Sequence, residues 1–269
     1  MTHWSKPQPN SLFKTVDGLR IHYRQTGNGP TILLLHGSGS SLQGVEQVAD
    51  ILSALFTVIT PDLPGFGLTG PRPDKDYRIE AYSATLGRFM QSLDIAQYTV
   101  VGNSLGGNIA WNMALDHPSA VTALGLINAT GYPEKSLPAG IRLVRNPVLK
   151  PLLRVWLPRK ATENNLKSAV GPTSTIVTPA MVDRVHGLMS LPGNRSAFID
   201  LANTDQRDRS SEISQITIPT LVLRSASINA QHFAKHIKGS IESIHSSGGH
   251  LLPEEDPEWV ANALKEFLC

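Results

Sequence analysis

The sequence has little cysteine, little net charge and no long apolar run. Its one cysteine, Cys269, is the last of 269 residues, which excludes a disulfide within the chain and a metal site built only from cysteine. The 24 basic and 22 acidic residues leave a formal net charge of +2, which gives no general attraction to nucleic acid. Apolar runs such as Thr31–Leu35 have the length of a strand, far below the roughly 20 residues that a membrane-spanning helix needs.

The amino-terminal residues and the overall composition favour a globular protein. The first ten residues, MTHWSKPQPN, lack the apolar core of a secretory signal, so a cytoplasmic location is expected. A hydrophobic fraction of 41% with 17% charged residues is enough for a sizeable core and argues against disorder. No metal-ligand spacing occurs, so we expect no metal site.

Strand-like runs alternate with helical patterns in the first half of the chain. The strand-like runs are Leu12–Val16, Leu19–Gln25, Thr31–Leu35, Thr57–Thr60, Tyr98–Val101 and Ala123–Ile127. Helical patterns cover Leu42–Leu55, Ile79–Leu93 and Leu105–His117. This alternation predicts βαβ units, and therefore an α/β fold with a mostly parallel sheet and flanking helices.

The alternation stops at Gly131 and resumes near the carboxyl end. Residues 131–208 read as helices interrupted by many prolines, with no buried strand among them. Strands Thr220–Arg224 and Ser240–His245 then alternate with helices Ala230–His236 and Pro257–Leu268. We therefore predict a helical cap at 131–208, inserted into a core domain formed by 1–130 and 209–269, with about eight strands in all.

The segment Gly102-Asn103-Ser104-Leu105-Gly106 follows an apolar strand and opens a helix. A GxSxG segment in this position is typical of a nucleophile elbow, a strained turn that lifts the serine hydroxyl above the sheet. A glycine-rich turn with an incidental serine is the plainer alternative. A phosphate-binding loop fits less well, because neither GxGxxG nor a Lys-Ser/Thr ending is present. Ser104 is the predicted nucleophile.

A second glycine-rich turn, His36-Gly37-Ser38-Gly39-Ser40, ends the first buried strand. Such a turn can direct main-chain N–H groups at an oxyanion. The predicted donors are the amides of Ser38 and of Leu105, the residue after the nucleophile. His36 is expected to orient the turn.

Among nine histidines, His250 is the predicted general base. It lies in a loop after the last strand and before the last helix, far downstream of the serine, in the chain order of Ser, acid and His. His117 fits a helix terminus. The other histidines read as surface or core residues: His3, His22, His186, His232, His236 and His245.

Taken together, these segments resemble the α/β-hydrolase superfamily over nearly the whole chain. They are HGSGSS (36–41), DLPGFGLT (62–69), GNSLGG (102–107), INATG (127–131), PTLVL (219–223) and GGHLLPEEDPE (248–258). The turn and the elbow are similar to those of carboxylesterases and of hydrolases that cleave C–C bonds in ring-fission products. Haloalkane dehalogenases and epoxide hydrolases of this fold carry an acidic nucleophile, so Ser104 argues against both. The resemblance implies an α/β-hydrolase fold.

The sequence departs from this superfamily at the acid of the triad. Relatives usually follow the PTLVL strand with a segment such as Gly-Glu-Asp-Asp, whose Asp orients the histidine, but no Asp or Glu lies between Leu223 and Ile241. Five other carboxylates fall before the strand or in the turn after the histidine: Asp200, Asp205, Asp208, Glu254 and Glu255. Asn128 follows the strand next to the elbow, and its amide oxygen is a candidate acceptor for Nδ1–H of His250. Such a contact predicts that Asn128→Asp raises turnover.

The predicted cap is rich in basic and apolar residues between Ile141 and Lys160. Its cations are Arg142, Arg145, Lys150, Arg154, Arg159 and Lys160, and no acid occurs among them. One interpretation is a lid with an apolar underside and a basic rim, which favours apolar or anionic acyl substrates. The other is a solvated outer face on a cap that packs its own core. A membrane-surface helix fits poorly because Pro147 and Pro151 interrupt its period.

These features predict a serine hydrolase that cleaves a small apolar or aromatic carboxylic ester and needs no cofactor. A C–C bond hydrolase or an acyltransferase of the same fold is the nearest enzymatic alternative. Because the usual acid is absent, a ligand-binding protein with a degenerate triad and little turnover is an alternative of a different class.

Overall fold

The computed structural model describes residues 3–133, 144–228 and 232–269, apart from the side chain of His3. The predicted start of a helix at Ala230 and residues 134–143 of the predicted cap lie outside these ranges. Within them, eight strands form one sheet in the order β1-β2-β4-β3-β5-β6-β7-β8. The strands are Leu12–Val16, Leu19–Thr26, Thr31–Leu35, Thr57–Pro61, Tyr98–Asn103, Val121–Ile127, Thr220–Ser225 and Ile241–His245.

The strands from β4 to β8 pair in parallel, and the pairs β1–β2 and β2–β4 at one edge are antiparallel. The α-helices α1–α9 are Glu46–Leu52, Ile79–Ser92, Leu105–Asp116, Lys150–Val155, Arg159–Ala169, Pro179–Met189, Asn194–Asn203, Leu252–Glu255 and Pro257–Leu268. Helices α2 and α3 pack on one face of the sheet, while α1 and α9 pack on the other. The predicted eight-stranded, mostly parallel sheet with flanking helices is therefore confirmed.

Two predicted helices differ from the observed ones. The helix expected over Leu42–Leu55 is a 3₁₀ turn, Leu42–Gly44, followed by α1, because Val45 at φ −130° interrupts the helical backbone. The helix expected over Ala230–His236 is a 3₁₀ turn at Phe233–Lys235 in the described part. Phe233 and Ile237 are both buried, and one tight turn is enough to bring them onto the core.

Helices α4–α7 lie between β6 and β7. Within this segment α5 and α6 share a small apolar cluster around Leu166 and Met181. The apolar side chains at α4 are largely exposed, with exposed fractions of 75% for Val155 and 59% for Trp156. These side chains are therefore not packed into the interior of the segment, and both interpretations of this stretch, a lid over the site and a solvated outer face, stay predictions.

Candidate active site

Ser104 lies at a sharp turn between β5 and α3, with φ 55° and ψ −113°. Backbone at positive φ is uncommon for a residue other than glycine and is worth a physical explanation. The two flanking glycines, Gly102 and Gly106, supply that explanation. A Cβ at Gly102 would lie 2.2 Å from the carbonyl carbon of Gly106, and a Cβ at Gly106 would lie 2.5 Å from the carbonyl oxygen of Leu35. Strand and helix therefore approach so closely that only glycine fits on either side of the serine.

The hydroxyl of Ser104 lies 2.8 Å from Nε2 of His250, which comes from the loop between β8 and α8. Ser104 is 7% exposed, so the pair is shielded but reachable. Burial lowers the pKa of His250, and the negative charge of Glu255 partly opposes that shift. The imidazole is therefore neutral at pH 7 and able to accept the serine proton.

The turn predicted to hold the oxyanion packs directly against Ser104, the predicted nucleophile. A Cβ at Gly37 would lie 3.3 Å from Cβ of Ser104. His36 is fully buried; its Nδ1–H donates to the carbonyl of Gly37 at 2.8 Å and its Nε2 accepts from the amide of Leu63 at 2.9 Å. The amide N–H groups of Ser38 and Leu105 donate to no residue in the described ranges, so both remain available to a bound group.

Asn128 does not make the predicted contact with His250. Its Oδ1 accepts from the amide of Ser225 at 2.9 Å, while its Nδ2 donates to the carbonyl of Gly249 at 3.0 Å and to Oγ of Ser225 at 3.2 Å. These partners fix the orientation of the amide, because the Ser225 N–H can only donate and the Gly249 carbonyl can only accept. Asn128 is thus close to the base, as expected, but it binds the main chain before His250 instead of the ring.

Ser225 and Glu255 are the residues near the base that sequence reasoning missed or set aside. The Oγ of Ser225 donates to the carbonyl of Gly249 at 2.7 Å, and Glu255 accepts from the amide of Gly249 at 2.8 Å. Asn103 donates from Nδ2 to the carbonyl of His250 at 3.2 Å. The spacing of Glu255, five residues after His250 in a predicted turn, was visible in the sequence, but nothing there indicated its partners.

A second Ser-His-Asp chain of hydrogen bonds lies at the antiparallel edge of the sheet. Oγ of Ser11 is 2.8 Å from Nε2 of His22, whose Nδ1 is 2.7 Å from Oδ2 of Asp62. Burial acts to raise the pKa of Asp62, but the hydrogen bond from His22, the charge effects of His22 and His36 and the hydrogen bond from the amide of Leu42 together outweigh it, and the pKa is lowered. Asp62 also accepts from the amide of Leu68 at 2.7 Å, so it ties together the loops around the turn.

Metal and membrane features were searched over residues 3–133, 144–228 and 232–269. No group of three or more His, Cys, Asp or Glu side chains there is arranged to hold a metal ion. None of the helices in the same ranges is long and apolar enough to cross a bilayer.

Comparison with known proteins identifies the family. The family model for the alpha/beta hydrolase fold matches residues 30–257. A 2-hydroxy-6-oxononadienedioate/2-hydroxy-6-oxononatrienedioate hydrolase of Cupriavidus pinatubonensis is 31% identical, over 79% of this chain and 77% of that protein. An uncharacterized Mycobacterium tuberculosis protein is 37% identical, over 55% of this chain and 46% of that protein, so the chain spans about half the length of that relative.

Solved structures show the same architecture. The crystal structure of Cfl2 from Burkholderia cenocepacia superposes with a TM-score of 0.84 at 23% identity, covering 96% of this chain and 95% of that one. A structural likeness at this identity concerns the fold alone. Together with the match over 30–257, it leads to one conclusion: the chain belongs to the alpha/beta hydrolase fold family.

Proposed function

We propose that the protein is a serine hydrolase that cleaves a carboxylic ester of a small apolar or aromatic substrate. The observation that carries this proposal is the 2.8 Å contact between Oγ of Ser104 and Nε2 of His250 at a strained strand-to-helix turn. Nucleophile and base within hydrogen-bond reach are the signature of covalent catalysis by serine. Membership of a hydrolase family supports the same reaction class.

In the proposed reaction, Ser104 Oγ attacks the ester carbonyl while its proton passes to Nε2 of His250. The amides of Ser38 and Leu105 stabilise the oxyanion, and the carbon–oxygen bond then breaks as His250 returns the proton to the leaving alcohol. Water next attacks the acyl-enzyme, again with His250 as the base, and releases the acid. All of these steps use residues of this chain without a cofactor.

The domain division assigns substrate selection to the inserted segment. In this proposal residues 1–130 and 209–269 form the hydrolase core, and 131–208 form a cap over the site. The closely packed contact of α5 and α6 with the base-bearing side of the core supports a cap that borders the site. A cytoplasmic location stays a prediction from the sequence.

A C–C bond hydrolase is the second candidate, favoured by the similarity to the Cupriavidus hydrolase. The same serine, base and oxyanion donors would serve either reaction, so the site alone does not separate them. Comparing kcat/KM for an aryl ester and for a 2-hydroxy-6-oxo-dienoate discriminates between the two. A preference of more than about 100-fold for the dienoate would replace the ester proposal.

Labelling with a fluorophosphonate, followed by peptide mass spectrometry, tests the nucleophile. We expect one adduct per chain on Ser104, lost in Ser104→Ala. Because Ser11 also contacts a histidine, Ser11→Ala is the matched control and should label like the parent protein. Folded protein without an adduct on Ser104 would favour the ligand-binding alternative.

A further inference from the structure

The end of α5 lies against the loop that carries His250. The carbonyl of Ala169 accepts the amide N–H of His250 at 2.6 Å. A Cβ at Gly249 would lie 2.3 Å from the amide nitrogen of Gly171, and a Cβ at Gly171 would lie 2.2 Å from the carbonyl oxygen of Ser247. These two main-chain segments are therefore in direct contact, and each has a glycine at the point of contact.

One carboxylate accepts hydrogen bonds from both segments. Oε1 of Glu255, the last residue of α8, accepts the amide N–H of Gly249 at 2.8 Å, while Oε2 accepts the amide N–H of Gly171 at 2.7 Å. Charge-assisted hydrogen bonds to main-chain amides are stronger than neutral ones. Glu255 thus links the loop that carries His250 to the residues after α5 through one carboxylate.

Neutral groups hold the opposite side of the same loop. The carbonyl of Gly249 accepts from Asn128 and Ser225, and the carbonyl of His250 accepts from Asn103. With the amides of Gly249 and His250 also bonded, all four main-chain polar groups of these two residues have partners. The position of the histidine is thereby fixed through its backbone.

We propose that Glu255 is a positioning residue that fixes the His250 main chain to the end of α5 and supplies the negative charge that a triad acid supplies elsewhere. This proposal rests on the function proposed above. In a serine triad the acid both orients the histidine and stabilises its protonated form. Here the backbone contacts fix the position of the loop, and the carboxylate of Glu255, bonded to the amide of the residue before His250, adds the negative charge.

Three charged groups of the described residues on the same elements have ion-pair partners of their own. These pairs are Glu254 with Arg184 of α6, Asp256 with His245 of β8, and Lys167 with Glu163 within α5. The described side chains that contact His250 or Gly249 from the ends of β5, β6 and β7 are uncharged: Ser104 and Asn103 contact His250, and Asn128 and Ser225 contact Gly249. The direction of the His250 pKa agrees with this arrangement: burial lowers the pKa, and the charge of Glu255 opposes that effect.

Titration of His250 by NMR, in the parent protein and in Glu255→Gln, tests the proposal without requiring turnover. Removing the charge should lower the pKa of His250 further, by about half a unit or more. Glu254→Gln is the matched control: it makes the same charge change one residue away and breaks an ion pair to α6, but it leaves Gly249 and Gly171 bonded. We expect it to leave the titration of His250 unchanged.

Ester kinetics provide the second measurement. Glu255→Gln should lower kcat about tenfold or more with little change in KM, and should move the acid limb of kcat/KM to lower pH. Glu255→Asp retains the charge on a shorter side chain, so the pKa of His250 in this variant should lie close to that of the parent protein. This variant keeps the test valid if Glu255→Gln folds poorly.

Equal midpoints in the parent protein, Glu255→Gln and Glu254→Gln would overturn the proposal. So would an equal loss of kcat in Glu255→Gln and Glu254→Gln, because that result would indicate a merely structural junction. Failure of the proposed function is a separate outcome. It would appear as absence of labelling and turnover in the parent protein, while the midpoints still differed among the variants.

Discussion

Replacing Asn128 by Asp tests whether the orientation of this amide is understood. Asn128 is 3% exposed, and its Nδ2 donates to the carbonyl of Gly249 and to Oγ of Ser225. In Asn128→Asp the atom facing the Gly249 carbonyl becomes a carboxylate oxygen, and two acceptors then oppose each other about 3.0 Å apart. Only the protonated acid restores a donor at this position, so the folded state should raise the pKa of the new carboxyl.

The cost follows from that pKa. An unfolded Asp has a pKa of about 3.9, so holding the carboxyl protonated at pH 7 costs roughly 3 units at about 1.4 kcal/mol each, or about 4 kcal/mol. A group whose folded-state pKa is raised loses stability as pH rises. The variant should therefore match the parent below about pH 4 and lose up to about 4 kcal/mol of unfolding free energy as the pH approaches 7. Relaxation of the loop would reduce this figure.

Urea unfolding of both proteins between pH 4 and pH 8 measures the difference. Asn165→Asp, on an exposed position of α5, adds the same charge and should show no such pH-dependent loss. The opposite expectation, drawn from sequence alone, is that an Asp at position 128 orients His250 and raises kcat for esters about tenfold or more. A tenfold gain in kcat together with parental stability at pH 8 would refute the reasoning from the structure.

Three other predictions follow from the site and the cap. Ser104→Ala should abolish ester turnover and change stability by no more than about 1 kcal/mol, since it removes one hydrogen bond; parental turnover would place the nucleophile elsewhere. Because burial lowers the pKa of His250 and the base must be neutral, kcat/KM should fall as pH falls through a midpoint below 6.5, and a midpoint above 6.5 would contradict this. Leu152→Ser and Trp156→Ser, both at exposed positions, should change the unfolding free energy by less than about 0.5 kcal/mol. The same substitutions should alter the KM and the dependence of activity on the length of the acyl chain. If that dependence is unchanged, α4 takes no part in substrate selection.

The sequence predicted the sheet well because its signals are local. Thr31–Leu35 was placed at its observed bounds as a continuous apolar run, and Leu12–Val16 was placed at its observed bounds because the Asp17-Gly18 turn joins it to the next strand-like run. The helix expected over Leu42–Leu55 was wrong in detail, because the break at Val45 depends on the backbone conformation that the neighbouring turn imposes. Boundaries that tertiary contacts decide are beyond a local pattern.

The structure brings together the two residues that the sequence selected, and their roles as nucleophile and base stay predictions. Chain order and loop position were enough to select Ser104 and His250, which lie 146 residues apart. Asn128 was expected near the base for a sound topological reason, yet its partner was wrong. The main-chain N–H of Ser225, in β7, donates to Oδ1 of Asn128. A sequence does not reveal which main-chain donors are left unpaired at the end of a strand.

The observed orientation of Asn128 also bears on how much activity the site can retain without a triad acid. Replacing the triad Asp by Asn in a serine protease costs about 10⁴ in kcat, largely because the amide favours the wrong histidine tautomer. That penalty requires an amide N–H directed at the imidazole. Here both donor contacts of Asn128 go to Gly249 and Ser225, so the ring is free to carry its proton on Nδ1 and to accept from Ser104 at Nε2. In residues 3–133, 144–228 and 232–269 no carboxylate is hydrogen-bonded to the ring of His250, but the amide of Asn128 does not misdirect the ring either, so the loss of rate should be smaller than the triad substitution suggests.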